Sequence, residues 1–250
     1  MKVLAIGNSF SQDATACLHQ TAAAQGIDLT AVNLHIGGCS LETHWRNWEQ
    51  EAAAYELQIN GQIAPGRFSI QEMLQSGDWD WIVTQQASHD SGWMDTYEPF
   101  LGQLVSQLRL NAPNARLLLH ETWAYERDSN HGAFPRYHRD QQEMYQRLRR
   151  CYTAMAQKYD LPLIPSGDVI QAVRALPPFD VQKGGRSLCR DGFHMSLGYG
   201  RYLLACVWLK TLCGVPVKDN PYAPQSEEAT EPRLLALLRA QADACRERPV

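Results

Sequence analysis

The stretch Lys2-Val-Leu-Ala-Ile-Gly7-Asn-Ser9-Phe-Ser11 decides the fold. Its apolar run after Lys2 stops at Gly7, the pattern of a short strand buried on both faces. The Ala-rich segment 13–25 that follows ends before Gly26, which predicts a helix with a glycine stop. A strand that gives way to a helix through Gly-Asn-Ser opens a βαβ unit. Working outward, the alternation continues. Leu29–Ile36 reads as a strand ending at Gly37-Gly38, and Leu41–Tyr55 as a helix with Trp45 and Trp48 on one face. Tyr55–Ile59 and Gln62–Ala64 flank Asn60-Gly61, a hairpin signature. Trp79–Thr84, Arg116–His120 and Leu161–Pro165 read as further strands. Thr96–Leu110, Pro135–Tyr159, Val169–Leu176 and Ser196–Cys213 read as helices, Pro177–Arg190 as a loop, and 231–246 as a last amphipathic helix. Strands separated by helices predict an α/β protein with a mostly parallel sheet covered on both faces. No internal repeat or linker interrupts it, so one domain over 1–250 is expected.

Composition narrows the function. The 250 residues are 44% hydrophobic, enough for a substantial core, and 23 Lys and Arg against 27 Asp and Glu give a net charge of −4. That balance argues against a nucleic-acid partner, whose phosphates call for clustered basic residues. The first apolar run is too short for a signal-peptide core, and no stretch approaches the ~20 apolar residues that span a bilayer. Seven cysteines, odd in number and without a C-x-x-C pair, read as reduced core residues, so a cytoplasmic location is expected. His120, Glu121, His131, His138 and Asp140 lack H-E-x-x-H or any standard zinc spacing, and no metal is expected.

Ser9 stands where the first strand yields to the first helix. Ligands of parallel sheets gather at the carboxyl ends of strands, and helix N-termini there offer unpaired N–H groups to a developing oxyanion. A serine at that point is equally suited to cap the helix, so Gly-Asn-Ser alone does not choose. The segment Asp191-Gly-Phe-His194 weighs in on the side of chemistry. Residues three apart across a turn can face the same way, so the carboxylate can orient the imidazole while its other nitrogen takes a proton from serine. A nucleotide-binding reading of the same α/β pattern lacks G-x-G-x-x-G and leaves Asp191 and His194 unexplained.

These residues resemble the SGNH hydrolases, also called the GDSL esterase superfamily. Gly7-Asn-Ser9-Phe-Ser11 is similar to the first block, Gly38 in Ile36-Gly-Gly-Cys-Ser40 to the second-block glycine, and Asp191-Gly-Phe-His194 to the last block. Gln85-Gln86-Ala-Ser88 and the 198–214 helix resemble an uncharacterised bacterial branch of that superfamily. The resemblance implies a flavodoxin-like three-layer α/β/α sandwich, catalysis by Ser9, Asp191 and His194 through an acyl-serine intermediate, and no metal or organic cofactor. It also implies an oxyanion hole built from the Ser9 and Gly38 N–H groups. The third block departs from Gly-x-Asn-Asp. Gln86 is the preferred third donor, because an amide always carries N–H, with His89 as the alternative and Gln85 as a loop tie. The first block has Asn8 where aspartate is usual.

The implied reaction is hydrolysis of small acyl esters, acetyl first, on a small-molecule substrate that includes acylated carbohydrates. His89, Trp93, Trp123 and Tyr125 follow strands on the side expected for the site and are candidate pocket walls, the aromatics as sugar platforms. The alternative is a catalytically weak protein on the same fold that binds glycans or acylated ligands. Oligomeric state is left open by the amphipathic 231–246 helix.

Overall fold

The structure is a computed structural model and describes residues 1–245. Seven strands form its sheet: β1 (Lys2–Gly7), β2 (Thr30–His35), β3 (Tyr55–Ile59), β4 (Gln62–Phe68), β5 (Trp81–Thr84), β6 (Arg116–His120) and β7 (Leu163–Ile164). Their order is β4-β3-β2-β1-β5-β6-β7. The five strands from β2 to β7 in that order run parallel, and β3 and β4 add an antiparallel edge hairpin. The helices are α1 (Ser9–Thr15), α2 (Leu18–Ala23), α3 (Leu41–Glu49), α4 (Ile70–Gln75), α5 (Phe100–Asn111), α6 (Gln141–Tyr159), α7 (Ser166–Arg174), α8 (Tyr199–Cys213) and α9 (Pro232–Ala244). This is an α/β fold with a mostly parallel central sheet. The crossovers from β1 to β2 and from β5 to β6 step in opposite directions along the sheet, and the right-handed rule for parallel connections then puts α1–α2 and α5 on opposite faces. The crevice between β1 and β5 at their carboxyl ends is therefore the topological switch point.

Val3, Leu4 and Ile6 of β1 and Leu203, Leu204 and Trp208 of α8 are buried in the core, which is why those segments are apolar without alternation. Cys17, Cys39, Cys151, Cys189 and Cys206 are buried free thiols. No helix among the described residues is long and apolar enough to cross a membrane.

Several elements differ from the sequence expectation; the helix expected over Leu41–Tyr55, for example, ends at Glu49. The first helix starts at Ser9 rather than 13, because Asn8 caps it, and it breaks at Ala16-Cys17 before α2. β4 runs on to Phe68 through Pro65 and Gly66, which an edge strand tolerates because no further ladder needs the missing N–H. The segment 70–75, assigned no structure from sequence, is α4, held by a capping box between Ser69 and Glu72. The long helix begins at Gln141 and not Pro135. His138 and Arg139 take left-handed φ values of 53° and 55°, and Asp140 caps the helix by accepting from the Gln142 and Glu143 N–H groups. The last helix ends at Ala244, and its expected end at 246 lies outside the described residues.

Candidate active site

Ser9 is the first residue of α1, at the carboxyl end of β1. The cap is supplied by Asn8, not by a serine: Asn8 Oδ1 accepts from the Phe10 N–H at 3.0 Å and from Gln85 Nε2 at 2.8 Å. Ser11 Oγ is engaged elsewhere, 2.7 Å from Asn33 Oδ1. Ser9 is thus left with a hydroxyl that caps nothing and an N–H with no acceptor inside the helix. Gly7 is required in front of it, because a Cβ there would meet Ser11 Oγ at 2.5 Å.

Asp191 and His194 sit on a small hairpin whose neck is a bridge between Cys189 and Met195 and a hydrogen bond from Arg190 N–H to the His194 carbonyl at 2.9 Å. Gly192, at φ 83°, makes the tip turn. The Asp191 Oδ1 atom accepts from the His194 N–H at 2.7 Å and the Phe193 N–H at 3.2 Å, and Oδ2 lies 2.7 Å from His194 Nδ1. His194 Nε2 then lies 2.8 Å from Ser9 Oγ. An ionised carboxylate only accepts, so Nδ1 carries the proton and Nε2 is the acceptor facing the hydroxyl. Burial works to raise the Asp191 carboxyl, but the hydrogen bonds from the His194 ring and from the two N–H groups outweigh it. The carboxyl is held below its ordinary value.

The Gly38 turn is brought to the same place. Cys39 N–H closes the turn on the Ile36 carbonyl at 3.2 Å, Gly38 adopts φ 62°, and Asn8 Nδ2 donates to the Cys39 carbonyl at 3.0 Å. One asparagine therefore holds both the start of α1 and the Gly38 turn. The whole arrangement has the parts of a nucleophile, an oriented base and adjacent backbone donors.

Over residues 2–242 the chain matches the family model described as "Domain of unknown function (DUF4886)". It belongs to that family. A DUF4886 family protein from Bacteroides uniformis ATCC 8492 is 36% identical, with a TM-score of 0.89 over 97% of this chain and 93% of that one. A protein from Slackia heliotrinireducens that has been assigned as an SGNH hydrolase aligns with a TM-score of 0.58 at 19% identity, over 85% and 98% of the two chains. An acetylxylan esterase from Geobacillus stearothermophilus aligns at 0.53 and 14%, over 85% and 94%. At such identities these last two establish a shared fold. No curated protein matches the chain.

In this DUF4886 chain several residues expected at the site do other work. Gln86 is fully buried with both ends engaged: Oε1 accepts from the Leu41 and Ala87 N–H groups at 2.9 and 2.8 Å, and Nε2 donates to the Thr96 carbonyl and hydroxyl at 2.8 and 3.1 Å. Its amide nitrogen is thus turned to Thr96, an arrangement that speaks against its expected place as an oxyanion donor. Trp123 is wholly buried, stacked 4.0 Å from Phe10, with Nε1 donating to the Phe193 carbonyl at 2.7 Å. Tyr125 is also wholly buried, its hydroxyl 2.9 Å from Ser88 Oγ. Neither offers a face to a sugar. Trp93 is half-buried, with the Arg136 and Arg147 guanidinium groups 5.0 and 4.8 Å from its ring centre. His89 keeps a partly exposed ring, 6.4 Å from that of His131.

Other residues of the site escaped the sequence reading. His131 packs edge-on against Phe193 at 4.7 Å, and Phe193 lies 4.2 Å from the His194 ring, so these two border the base. Burial lowers the His131 pKa, and the neighbouring His89 and His194 lower it further. Gln85, read as a loop tie, links Asn8 to the buried His120. Asp13 lies fully buried beneath the hairpin and receives Arg190 and Arg201. Among the described residues no group of three or more His, Cys, Asp or Glu side chains is arranged to hold a metal ion.

Proposed function

We propose that this DUF4886 chain is a serine esterase that removes small acyl groups, acetyl first, from hydroxyl-bearing molecules such as carbohydrates. The observation that carries the reading is the 2.8 Å contact between Ser9 Oγ and His194 Nε2, made while Nδ1 faces Asp191. His194 Nε2 takes the Ser9 proton as Oγ bonds to the ester carbon. The oxyanion is received by the N–H groups of Ser9 and Gly38. Collapse breaks the bond to the alcohol oxygen, which leaves with the proton from His194. Water then attacks the acyl-serine, passes its proton to His194, and the acid departs as Ser9 regains a proton. Asp191 keeps the ring in the right tautomer and stabilises the imidazolium that forms. The acetyl and carbohydrate preference is supported by the fold shared with acetylxylan esterases.

Hydrolysis of p-nitrophenyl esters of increasing chain length, followed by a panel of acetylated sugars, tests the proposal. Acetate is expected to turn over fastest. Ser9→Ala and His194→Ala should each lower kcat by about four orders of magnitude or more. Equal rates in wild type and both variants reject the reading. One observation favours a second reading, a weakly active binding protein: the engaged Gln86 amide leaves no side-chain oxyanion donor at that position. A fluorophosphonate separates the two, since only an activated Ser9 is labelled.

A further inference from the structure

We propose that Asp13 is the positioning residue that sets the distance between Ser9 and His194, acting through Arg190 and Arg201. For its catalytic consequence this inference rests on the esterase reading.

Asp13 stands four residues after Ser9 on α1, so the two side chains share a face of one short helix. Ser9 meets the imidazole, and one turn on, Asp13 meets the neck of the hairpin that carries it. The carboxylate is fully buried and takes four contacts. Arg190 Nη1 lies 3.0 and 3.1 Å from its two oxygens, Arg201 Nε donates to Oδ1 at 2.8 Å, and the Met195 N–H donates to Oδ2 at 2.8 Å. Arg190 Nη1 also donates to the Met195 carbonyl. The residues gripped therefore lie on both sides of His194 in the chain. They close the hairpin at its base while Asp191 orders its tip.

Stability alone gives a poor account of this arrangement. Desolvating the fully buried Asp13 carboxylate costs several kcal/mol before its attraction to two partly exposed guanidinium groups offsets it, and packed apolar side chains often do as well. What an ionic cluster around a buried carboxylate adds is directionality. An apolar contact tolerates sliding, whereas a carboxylate bound by two guanidinium groups and an N–H has one register. Misplacing reacting groups by about 1 Å can cost on the order of 100-fold in rate, so a fixed register matters at this point of the fold.

The test uses the full chain with Asp13→Asn and Arg190→Ala, and thermal melts to verify folding. Three readouts are compared: the ring-nitrogen NMR shifts of His194, the rate of Ser9 labelling by a fluorophosphonate, and kcat against KM on p-nitrophenyl acetate. Folded Asp13→Asn is expected to move the His194 shifts toward those of a free imidazole. Labelling and kcat should fall by about 10- to 100-fold while KM stays within about twofold. Arg190→Ala should show the same loss and recover much of it with millimolar guanidinium, because the Arg190 side chain is a third exposed and its site opens to solvent. Guanidinium should leave Ser9→Ala inert. Should Asp13→Asn fail to fold, Arg190→Ala with and without guanidinium decides. Folded variants with wild-type His194 shifts and labelling rates, or an Arg190→Ala loss that guanidinium does not relieve, overturn the proposal. A wild type that is neither labelled nor active, with His194 shifts that still move in the variants, overturns the esterase reading and leaves the clamp standing.

Discussion

Gln85 Nε2 donates to Asn8 Oδ1 at 2.8 Å, joining the loop after β5 to the residue that precedes Ser9. The connection extends further. Gln85 Oε1 accepts from His120 Nδ1 at 2.6 Å, and His120 Nε2 accepts from Ser166 Oγ at 2.9 Å. Because a carbonyl oxygen only accepts, the Nδ1 proton is fixed and the chain has one direction. It starts at the first residue of α7, passes the end of β6 and finishes at the cap of α1. Burial holds His120 neutral, with a pKa pushed down to about 3.

Replacing Gln85 with leucine should therefore act well beyond the loop. The His120 Nδ1 proton would lose its acceptor and Asn8 would lose one of its donors, both in the interior. Leaving buried polar groups unmatched typically costs about 1–3 kcal/mol per group. Urea denaturation of Gln85→Leu is expected to show a stability loss of about 2 kcal/mol or more. A midpoint equal to wild type would mean that the chain of bonds carries no weight.

Trp123 illustrates why burial changes a functional expectation. Its ring stacks on Phe10, next to the serine, and its Nε1 holds the Phe193 carbonyl, next to the histidine. It thus contacts the residue after Ser9 and the residue before His194. Trp123→Phe should keep most of the packing and lose the hydrogen bond. On the esterase proposal, kcat should fall by about tenfold, with KM for an acetylated sugar within about twofold of wild type, because the changed contact is one that positions groups. A rise in KM with kcat retained would instead restore the tryptophan as a sugar platform.

What was legible in the sequence was local. Ser9 follows a strand whose apolar run is unmistakable, and Asp191 and His194 are three apart in one turn, so a strand end and a turn suffice to single them out. Gly38 was singled out only by its resemblance to a second-block glycine. The rest depends on partners far along the chain. Asp13 and Arg190 are 177 residues apart, and nothing in Gln-Asp13-Ala announces a buried carboxylate. Gln85 was read as a loop tie, but Gln86 was harder to place because an amide donor can face a substrate or a backbone equally well. Here the Leu41 N–H and the Thr96 carbonyl claim Gln86. Aromatic residues after strands read alike whether they line a cleft or fill the space beneath it, and Trp123 fills it.

Gln86 and His89 can be separated by measurement. In Gln86→Leu the buried Leu41 and Ala87 N–H groups and the half-buried Thr96 carbonyl lose a partner. The expected result is a stability loss of about 2–4 kcal/mol by chemical denaturation. The folded fraction should still react with a fluorophosphonate within about tenfold of wild type, whereas loss of an oxyanion donor costs about 100- to 1,000-fold. His89→Ala, at a partly exposed position, should change stability by less than about 0.5 kcal/mol. A labelling rate that collapses in well-folded Gln86→Leu would return the glutamine to the oxyanion hole.

Acid should destabilise the protein from the inside before it titrates the surface carboxylates. His44 and His120 are both wholly buried, and burial pushes each pKa down to about 3. In the unfolded chain each returns to about 6.5. Between those values the unfolded state binds a proton at each ring that the folded state does not, so stability rises with pH across the interval. The contribution is complete above about 6.5 and shrinks as pH falls, by up to about 1.4 kcal/mol per pH unit for each histidine, levelling near the folded values. Lowering pH from 6 to 5 should therefore cost on the order of 2 kcal/mol from the pair. Urea midpoints measured at pH 7, 6 and 5 follow this directly. His44→Gln removes one of the two sites and should lose about 1 kcal/mol less than wild type over the same step. If the two chains weaken in parallel, His44 is protonated in the folded state and its burial is not what the pH dependence reports.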